Sequence, residues 1–258
     1  MSDRSLLKKA IDIISSSQSL FILTGAGVSA ESGVPTFRGK DGLWKNYSAT
    51  DLATPEAFTR DPELVWEWYH WRQGIILSAQ PNPAHYAIVE LEKQFKNFLL
   101  LTQNVDNLHR RAGSKNVLEL HGNIFRARCL SCEKVVDHQI EIKHNEKTGT
   151  TPELNRPECT CGALLRPDIV WFGEAIPQDI WQKSIKFLSS ADVAIICGTS
   201  GVVWPAAYIP EIAKQNRAKT IEINLETTPV SKVVDISLLG KAGDILPRMI
   251  EQLHKGIR

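Results

Sequence analysis

Residues 20–30 read Leu-Phe-Ile-Leu-Thr-Gly-Ala-Gly-Val-Ser-Ala, an apolar run that ends in a glycine-rich turn. A short continuous apolar run is typical of a strand that is buried on both faces. The turn fits the G-x-G-x-x-G/A pattern, in which glycines let the backbone approach a pyrophosphate at the N-terminus of the next helix. Glycine is also common in strand-to-helix turns that bind no ligand. The turn alone therefore leaves a nucleotide site and a plain structural turn both open.

The same plan recurs three times further along the chain. Apolar runs at 97–102, 193–197 and 220–223 each end in a small or polar turn. Four such strands favour an α/β fold with a parallel, Rossmann-like sheet whose ligand lies at the carboxyl ends of the strands. No clear acidic residue follows the first turn by about 20 residues, the usual distance of a ribose ligand. Asn224 and Glu226, just after the last run, are the better candidates for binding the ribose.

Composition narrows the class of protein. The chain has 258 residues, enough for one large core or for one domain with a smaller module attached. Its 30 basic and 29 acidic residues nearly cancel, whereas a protein that binds nucleic acid through phosphate contacts usually carries a basic excess. The apolar runs are too short to cross a bilayer, and the N-terminus lacks the apolar segment of a signal peptide. We therefore expect a cytoplasmic protein with no nucleic-acid or membrane partner.

Two stretches of the sequence do not follow this pattern of buried strands and polar turns. An amphipathic helix is predicted over 5–16, but residues 39–81 hold helical patterns without a buried strand, and residues 123–166 hold most of the cysteines. Within the second stretch, residues 143–150 are polar and predict an exposed loop. We interpret both stretches as insertions that build a small second module over the sheet edge. The remaining segments, 1–38, 82–122 and 167–258, then form the Rossmann-like domain.

The cysteines predict a metal site. Four of the five form two close pairs, Cys129/Cys132 and Cys159/Cys161, while Cys197 lies inside an apolar run and is expected to pack there. In a reducing compartment such pairs favour a metal over disulfides, and four thiolates make a closed, tetrahedral structural zinc site. The second pair has a tight one-residue spacer, so His138 or Asp137 could replace one thiolate. Four free thiols are the other alternative.

One longer stretch identifies a family. Residues 25–39, Gly-Ala-Gly-Val-Ser-Ala-Glu-Ser-Gly-Val-Pro-Thr-Phe-Arg-Gly, resemble the sirtuin signature. Residues 103–106 (Gln-Asn-Val-Asp), 121–122 (His-Gly) and 198–200 (Gly-Thr-Ser) match the same family in the expected order, so that the resemblance covers nearly the whole chain. It implies a Rossmann-like domain with a small zinc-binding and helical module. It also implies NAD as co-substrate and acyl-lysine proteins or peptides as partners: nicotinamide is cleaved from NAD, and the acyl group of the lysine passes to the ADP-ribose.

The resemblance also assigns roles to single residues. His121 matches the catalytic base that takes a proton from a ribose hydroxyl, whereas His109 is expected on a helix face with a structural role. Asn104 and Asp106 match residues that orient the nicotinamide carboxamide, although Asn and Asp at a strand end are also common helix N-caps. Further NAD contacts are implied at Gly25, Ala26, Gly27, Ser29, Ala30, Phe37, Arg38, Gln103, Gly198, Thr199, Ser200, Asn224, Glu226 and Ala242. Of these, Phe37 would gate the nicotinamide and Arg38 would contact phosphate, with an exposed loop arginine as the alternative.

An aromatic segment bears on the acyl group. Residues 66–72 read Trp-Glu-Trp-Tyr-His-Trp-Arg, and on a helix Tyr69 and Arg72 share one face. A guanidinium fork suits a carboxylate, but the pattern alone favours an aromatic core helix with Arg72 at its wet edge. Tyr-x-x-Arg is, however, the motif of class III sirtuins, which remove succinyl, malonyl or glutaryl groups. Ala53 matches the small residue that leaves room in their pocket.

The peptide substrate is expected to add a strand between 170–174 and 201–203, where main-chain pairing tolerates many sequences. Val170, Phe172 and Val203 are candidates for the apolar tunnel around the lysine stem, or for plain core. One rival function keeps the same site but transfers ADP-ribose to a protein, and a rival from another class is a non-catalytic NAD sensor or a zinc-mediated interaction module. Transfer of ADP-ribose to a protein would have no use for a clamp on an acyl carboxylate, and a non-catalytic NAD sensor would have no use for His121.

Overall fold

The computed structural model describes residues 3–36, 47–140 and 156–256, which form ten α-helices and nine strands. The helices are α1 (Asp3–Ser15), α2 (Ala26–Ala30), α3 (Ala49–Leu52), α4 (Pro55–Arg60), α5 (Pro62–Ser78), α6 (Pro83–Gln94), α7 (Leu108–Ala112), α8 (Gln178–Leu188), α9 (Ile209–Gln215) and α10 (Ala242–Gly256). The strands are β1 (Ser19–Thr24), β2 (Asn97–Thr102), β3 (Val117–Glu119), β4 (Gly122–Cys129), β5 (Val135–Asp137), β6 (Leu165–Ile169), β7 (Val193–Cys197), β8 (Lys219–Asn224) and β9 (Ile236–Leu239). Phe37, Arg38 and the predicted loop at 143–150 lie outside the described residues.

The main sheet has six parallel strands in the order β3-β2-β1-β7-β8-β9. Its four central strands are those that the apolar runs predict, and β1 and β7 are buried along their whole length. The sequence pattern does not predict the two edge strands, β3 and β9. β3 has only three residues, and in β9 buried and less buried residues alternate, so neither carries a continuous apolar run.

Helices cover both faces of this sheet. On one face α1, α6 and α10 form a core with the strands, through side chains such as Ile14, Leu91 and Met249. On the other face α8 and α9 pack on the sheet, with Leu188 and Ile209 fully buried. A parallel sheet needs such cover on both sides, because its crossover connections leave no face to solvent. In the described residues no helix is both long and apolar enough to cross a membrane.

A second, smaller unit contains α3, α4, α5 and an antiparallel sheet in the order β5-β4-β6. The sequence sets the start of α5: the Asp61 side chain accepts a hydrogen bond from Leu64 N–H at 3.0 Å, and Pro62 occupies the first turn, where its missing N–H costs nothing. The helix then packs Trp66 and Trp68 against the small sheet in a core of its own. The helical patterns predicted over 39–81 are thus confirmed where the structure describes them.

The order of the main sheet reverses between β1 and β7, and the turns that follow these two strands touch. Gly25 N–H donates to Cys197 O at 3.0 Å, and Gly27 N–H donates to Gly198 O at 2.8 Å. There is no room for side chains at this contact. A Cβ on Gly25 would lie 2.8 Å from Gly198 O, and a Cβ on Gly198, whose φ is +61°, would lie 2.6 Å from Val28 N. A crevice at the point of strand reversal is where doubly wound sheets bind their ligands.

Replacing Gly198 by Ala tests this contact, with Gly33→Ala as the matched control. Both glycines have positive φ, but a Cβ on Gly33 would have nothing within 4 Å. We expect Gly33→Ala to lower the free energy of unfolding by about 1 kcal/mol, the cost of the left-handed conformation. Gly198→Ala should lower it by roughly 1–3 kcal/mol more, because the turns must separate. Equal losses for the two variants in urea unfolding would show that the contact tolerates a side chain.

Candidate active site

A cavity of about 500 Å³ opens at the strand reversal. This volume is within the usual range of small-molecule and cofactor sites. The turns after β1, β2, β7 and β8 all reach it. The residues predicted to contact NAD that line it are Gly25, Ala26, Gly27, Gln103, Asn104, Gly198, Thr199, Ser200, Asn224 and Glu226. His121 lines it too, as do the predicted substrate residues Ala53, Val170, Phe172 and Val203.

Other predicted site residues do not reach the cavity wall. Ser29 and Asp106 are buried behind Asn104, and Tyr69 and Arg72 are buried in the second core. Ala30 is exposed at the end of α2, and Ala242 is buried at the start of α10.

Asn104 is held by two hydrogen bonds from its side-chain amide. Its Nδ2 donates to Gly25 O at 3.1 Å and to Ser29 Oγ at 3.0 Å. The hydroxyl of Ser29 in turn donates to the carboxylate of Asp106. Both N–H bonds of the amide are used in this way, so Oδ1 is the atom through which Asn104 can accept a hydrogen bond from a ligand.

Asp106 is deeply buried, and burial raises the pKa of its carboxyl above the usual value. Hydrogen bonds from Ser29 and from Leu108 N–H, the latter at 2.9 Å, and the positive charges of Arg72 and Arg111 oppose this rise. The bond to Leu108 lies at the first residue of α7, so Asp106 does satisfy an amide at the start of that helix. The N-cap position itself is Asn107, in a left-handed conformation.

His121 lies between β3 and β4, and its ring orientation is set by the backbone. Nδ1 is 3.1 Å from Gln103 O, and because a carbonyl only accepts, Nδ1 carries the proton and Nε2 carries the lone pair. Val170 N–H donates to His121 O at 3.0 Å and so fixes the main chain. Burial lowers the pKa of His121 below 6.5, so the imidazole is neutral at pH 7.

Ion pairs brace the strands around His121. Arg126 on β4 contacts Glu119 on β3 at 2.9 Å and Asp168 on β6 at 3.0 Å, and Arg128 contacts the same Asp168 at 2.9 Å. The two carboxylate side chains are only 9% exposed, so these pairs are screened less than surface ones. They tie together the three strands next to the histidine.

The far side of the cavity is organised by Asn224 and Gln103. Asn224 Nδ2 donates to Thr199 O at 2.9 Å, and Gln103 Nε2 donates to Thr199 Oγ1 at 3.1 Å. These bonds join the ends of β2, β7 and β8 into one wall.

The Tyr69–Arg72 face is inside the protein. Tyr69 is 2% exposed and Arg72 is 4% exposed, so the expectation that Arg72 caps a wet edge is wrong. The Tyr69 hydroxyl accepts a hydrogen bond from Trp171 Nε1 at 2.8 Å, and burial raises its pKa well above the usual range. Trp171 lines the cavity, and the Arg166 guanidinium stacks on it at 3.5 Å. Sequence reasoning missed Trp171, although it lies in the 170–174 segment assigned to the peptide.

The four paired cysteines come together on the small sheet. Their sulfurs all lie within 4.8 Å of one another, with Cys129–Cys161 at 3.5 Å and Cys132–Cys159 at 3.7 Å. A tetrahedral zinc with Zn–S bonds of about 2.3 Å requires sulfur–sulfur distances of roughly 3.8 Å, so this donor set fits the ion. With four protein ligands the ion would have no open position, and its role would be structural.

The alternative prediction, in which His138 replaces a cysteine as metal ligand, is wrong. His138 Nε2 is 3.0 Å from His70 Nε2 instead, and in the described ranges the metal-competent cluster contains the four cysteines only, which excludes Asp137 as well. His109, expected on a helix face, is buried in α7 and contacts Thr24 Oγ1 at 2.9 Å. Cys197 is fully buried in β7, as predicted.

Comparison with known proteins shows that the chain is similar to members of one family. Residues 25–205 match the model of the Sir2 family. A protein of Pyrobaculum aerophilum named NAD-dependent protein deacylase 2 is 51% identical over 96% of this chain and 96% of its own length. A crystal structure described as a Sir2 homolog–NAD complex is 46% identical, with a TM-score of 0.89 and coverage of 97% of this chain and 95% of the other. A structure described as Sir2–p53 peptide–NAD⁺ is 35% identical, with a TM-score of 0.82 and coverage of 98% and 99%.

The cysteine cluster predicts one zinc per chain. Cys132→Ser should lose the metal and lower Tm by roughly 5–15 °C, because binding to four thiolates contributes to folding. Cys197→Ala is the matched control, since its sulfur is buried outside the cluster, and it should keep the metal. Elemental analysis and thermal melting check both. Retention of one zinc by Cys132→Ser would contradict the four-cysteine site.

Proposed function

The chain belongs to the Sir2 family of NAD-dependent protein deacylases, and on that premise we propose that it removes acyl groups from protein lysines and transfers them to the ADP-ribose of NAD. One water is consumed, and the products are nicotinamide, unmodified lysine and O-acyl-ADP-ribose. The observation that carries the proposal is the cavity that joins the glycine turns, Asn104 and His121. A binding protein would need the turns alone, whereas a partly buried neutral imidazole beside them provides a base.

The reaction has a physical difficulty that the cavity addresses. An amide oxygen is a poor nucleophile, so it attacks the ribose only as nicotinamide leaves and with water excluded. We propose that Asn104 Oδ1 accepts a hydrogen bond from the nicotinamide carboxamide and orients the leaving group. Asp106 then acts through Ser29, which it holds against the Asn104 amide.

His121 is the proposed general base. Its Nδ1–H is held by Gln103 O, so Nε2 is the atom that can take a proton from a ribose hydroxyl and let that oxygen attack the acyl carbon. Asn224 and Glu226, at the end of β8, are the proposed contacts to the other ribose. Phe37, Arg38, Ala30 and Ala242 remain proposed NAD contacts on the family resemblance.

Changing His121 to Asn separates chemistry from binding. Turnover should fall roughly 100- to 10,000-fold, the usual contribution of a general base, while the affinity for NAD changes little. Burial lowers the pKa of His121, so the working, unprotonated form persists as the pH falls, and kcat/KM of the wild type should decline only below pH 6.5. A decline centred above pH 6.5, or a His121→Asn variant that stays active, would contradict the assignment.

We further propose a preference for acidic acyl groups such as succinyl, with Arg72 and Tyr69, which are buried behind the cavity wall, as the partners of the acyl carboxylate. Ala53 lines the cavity, and its carbonyl accepts a hydrogen bond from Phe172 N–H at 2.9 Å. Trp171 connects the cavity wall to the Tyr69 hydroxyl. A charge-assisted hydrogen bond contributes roughly 1.5–3 kcal/mol, which corresponds to about one to two decades of discrimination. Acetyl still fits, so the preference is not exclusive.

Arg72→Met tests this preference. The ratio of kcat/KM for succinyl-lysine to that for acetyl-lysine, measured on one peptide, should fall roughly 10- to 100-fold, because the carboxylate loses its partner. Arg248→Met, the same substitution on the exposed side of α10, should leave the ratio unchanged. A wild type that removes acetyl at least as fast as succinyl would contradict the preference but not the deacylase activity.

The peptide is proposed to lie as an added strand between 170–174 and 201–203, with Val170, Phe172 and Val203 around the lysine stem. All three line the cavity, and Phe172 is 40% exposed, which leaves it accessible from solvent. Residues 1–38, 82–122 and 167–258 are the proposed NAD-binding domain, and 39–81 with 123–166 the proposed small module. A cytoplasmic location is likewise a proposal from the sequence.

A further inference from the structure

A chain of buried hydrogen bonds runs from α7 through two central strands to the backbone of Asn104. His109 Nε2 is 2.9 Å from Thr24 Oγ1, and Thr24 Oγ1 donates to Thr102 Oγ1 at 2.9 Å. Thr102 Oγ1 also accepts from Asn104 N–H at 3.0 Å. The four residues are between 0% and 8% exposed, so water does not compete for these bonds.

The direction of the hydrogen bond between the two threonines determines which tautomer His109 adopts. The hydroxyl proton of Thr24 is used toward Thr102, so the oxygen of Thr24 must accept from His109, and His109 carries its proton on Nε2. Burial lowers the pKa of His109 well below 6.5, which keeps the ring neutral. Its Nδ1 has no hydrogen-bond partner in the described part of the chain, so Nε2 is the ring atom that anchors it.

This chain of hydrogen bonds links the two ends of the segment between β2 and α7. Thr24 and Thr102 are partners in the parallel register of β1 and β2. Asn104 lies near the start of the segment that joins β2 to α7, and His109 lies just after its end. The bonds therefore fix both ends of the segment that carries Asn104 and Asp106. If Thr102 lost its hydroxyl, the backbone N–H of Asn104 would stay buried without a hydrogen-bond acceptor. The segment would then shift until this N–H found another acceptor.

We propose that His109, Thr24 and Thr102 are positioning residues that hold Asn104 for the nicotinamide end of NAD. They act through Asn104 and do not line the cavity themselves. The inference rests on the proposed function only for the identity of the ligand. Its signature is selective: binding of the nicotinamide end depends on the chain, whereas binding of the ADP-ribose part depends on the glycine turns and the end of β8.

The test compares the affinity for NAD with that for ADP-ribose, which lacks nicotinamide, by calorimetry on purified full-length variants. Thr102→Val should weaken NAD roughly 10-fold and leave ADP-ribose within about 2-fold, as expected for one buried hydrogen bond. Thr102→Ser, which restores the hydroxyl, should recover most of the NAD affinity. His109→Gln, which can still donate to Thr24, should keep more of it than His109→Leu.

Thr220→Val is the matched control. Thr220 is fully buried on β8 and its hydroxyl bonds to Asp235, far along the strand from the carboxyl ends. The Thr220→Val variant should be less stable than the wild type, but the ratio of its affinities for NAD and ADP-ribose should stay the same. Equal weakening of NAD and ADP-ribose by Thr102→Val, or no weakening of either, would overturn the proposal. Since binding is the readout, this outcome is distinct from a wild type that binds NAD but removes no acyl group.

Discussion

The backbone contact between the turn at Gly25–Gly27 and Gly198 is the constraint on which the site depends. It occurs where the order of the sheet reverses, and it leaves no space for a Cβ on either side. The neighbouring turns are attached to it by side-chain amides: Asn104 reaches Gly25 O, and Asn224 reaches Thr199 O. Hydrogen bonds therefore join four strand ends into one wall, which lowers the cost of ordering these polar groups when a ligand binds.

The second, smaller unit lies against the cavity and is joined to the main sheet by backbone hydrogen bonds. His121 and β4 lead from the sheet into the small module, and Val170 N–H and Phe172 N–H bond back to His121 O and Ala53 O. The module thus covers one side of the cavity through Ala53, at the proposed acyl end, while the strand ends of the sheet form the proposed NAD end. Beside its apolar core, four cysteine sulfurs at tetrahedral spacing would, with a metal bound, link segments that are distant in the sequence.

The sequence predicted what local pattern can encode. Buried central strands appear as continuous apolar runs, so β1, β2, β7 and β8 were predictable, whereas the short, half-buried edge strands β3 and β9 were not. Spacing located the zinc ligands, but only the three-dimensional arrangement shows that His138 pairs with His70. The same holds for the role of Ser29 between Asn104 and Asp106, and for Trp171 between the cavity and Tyr69. These contacts join residues from different elements, and no periodicity in the chain reports them.

The most direct test of the account is product analysis by mass spectrometry. One lysine peptide, in acetyl and succinyl forms, is incubated with the protein and NAD. Because the acyl group is transferred to ADP-ribose, nicotinamide, unmodified peptide and O-acyl-ADP-ribose should appear in equal amounts. A peptide that gains the mass of ADP-ribose, or one that keeps its acyl group while NAD is bound intact, would contradict the account and favour ADP-ribosyl transfer or NAD sensing.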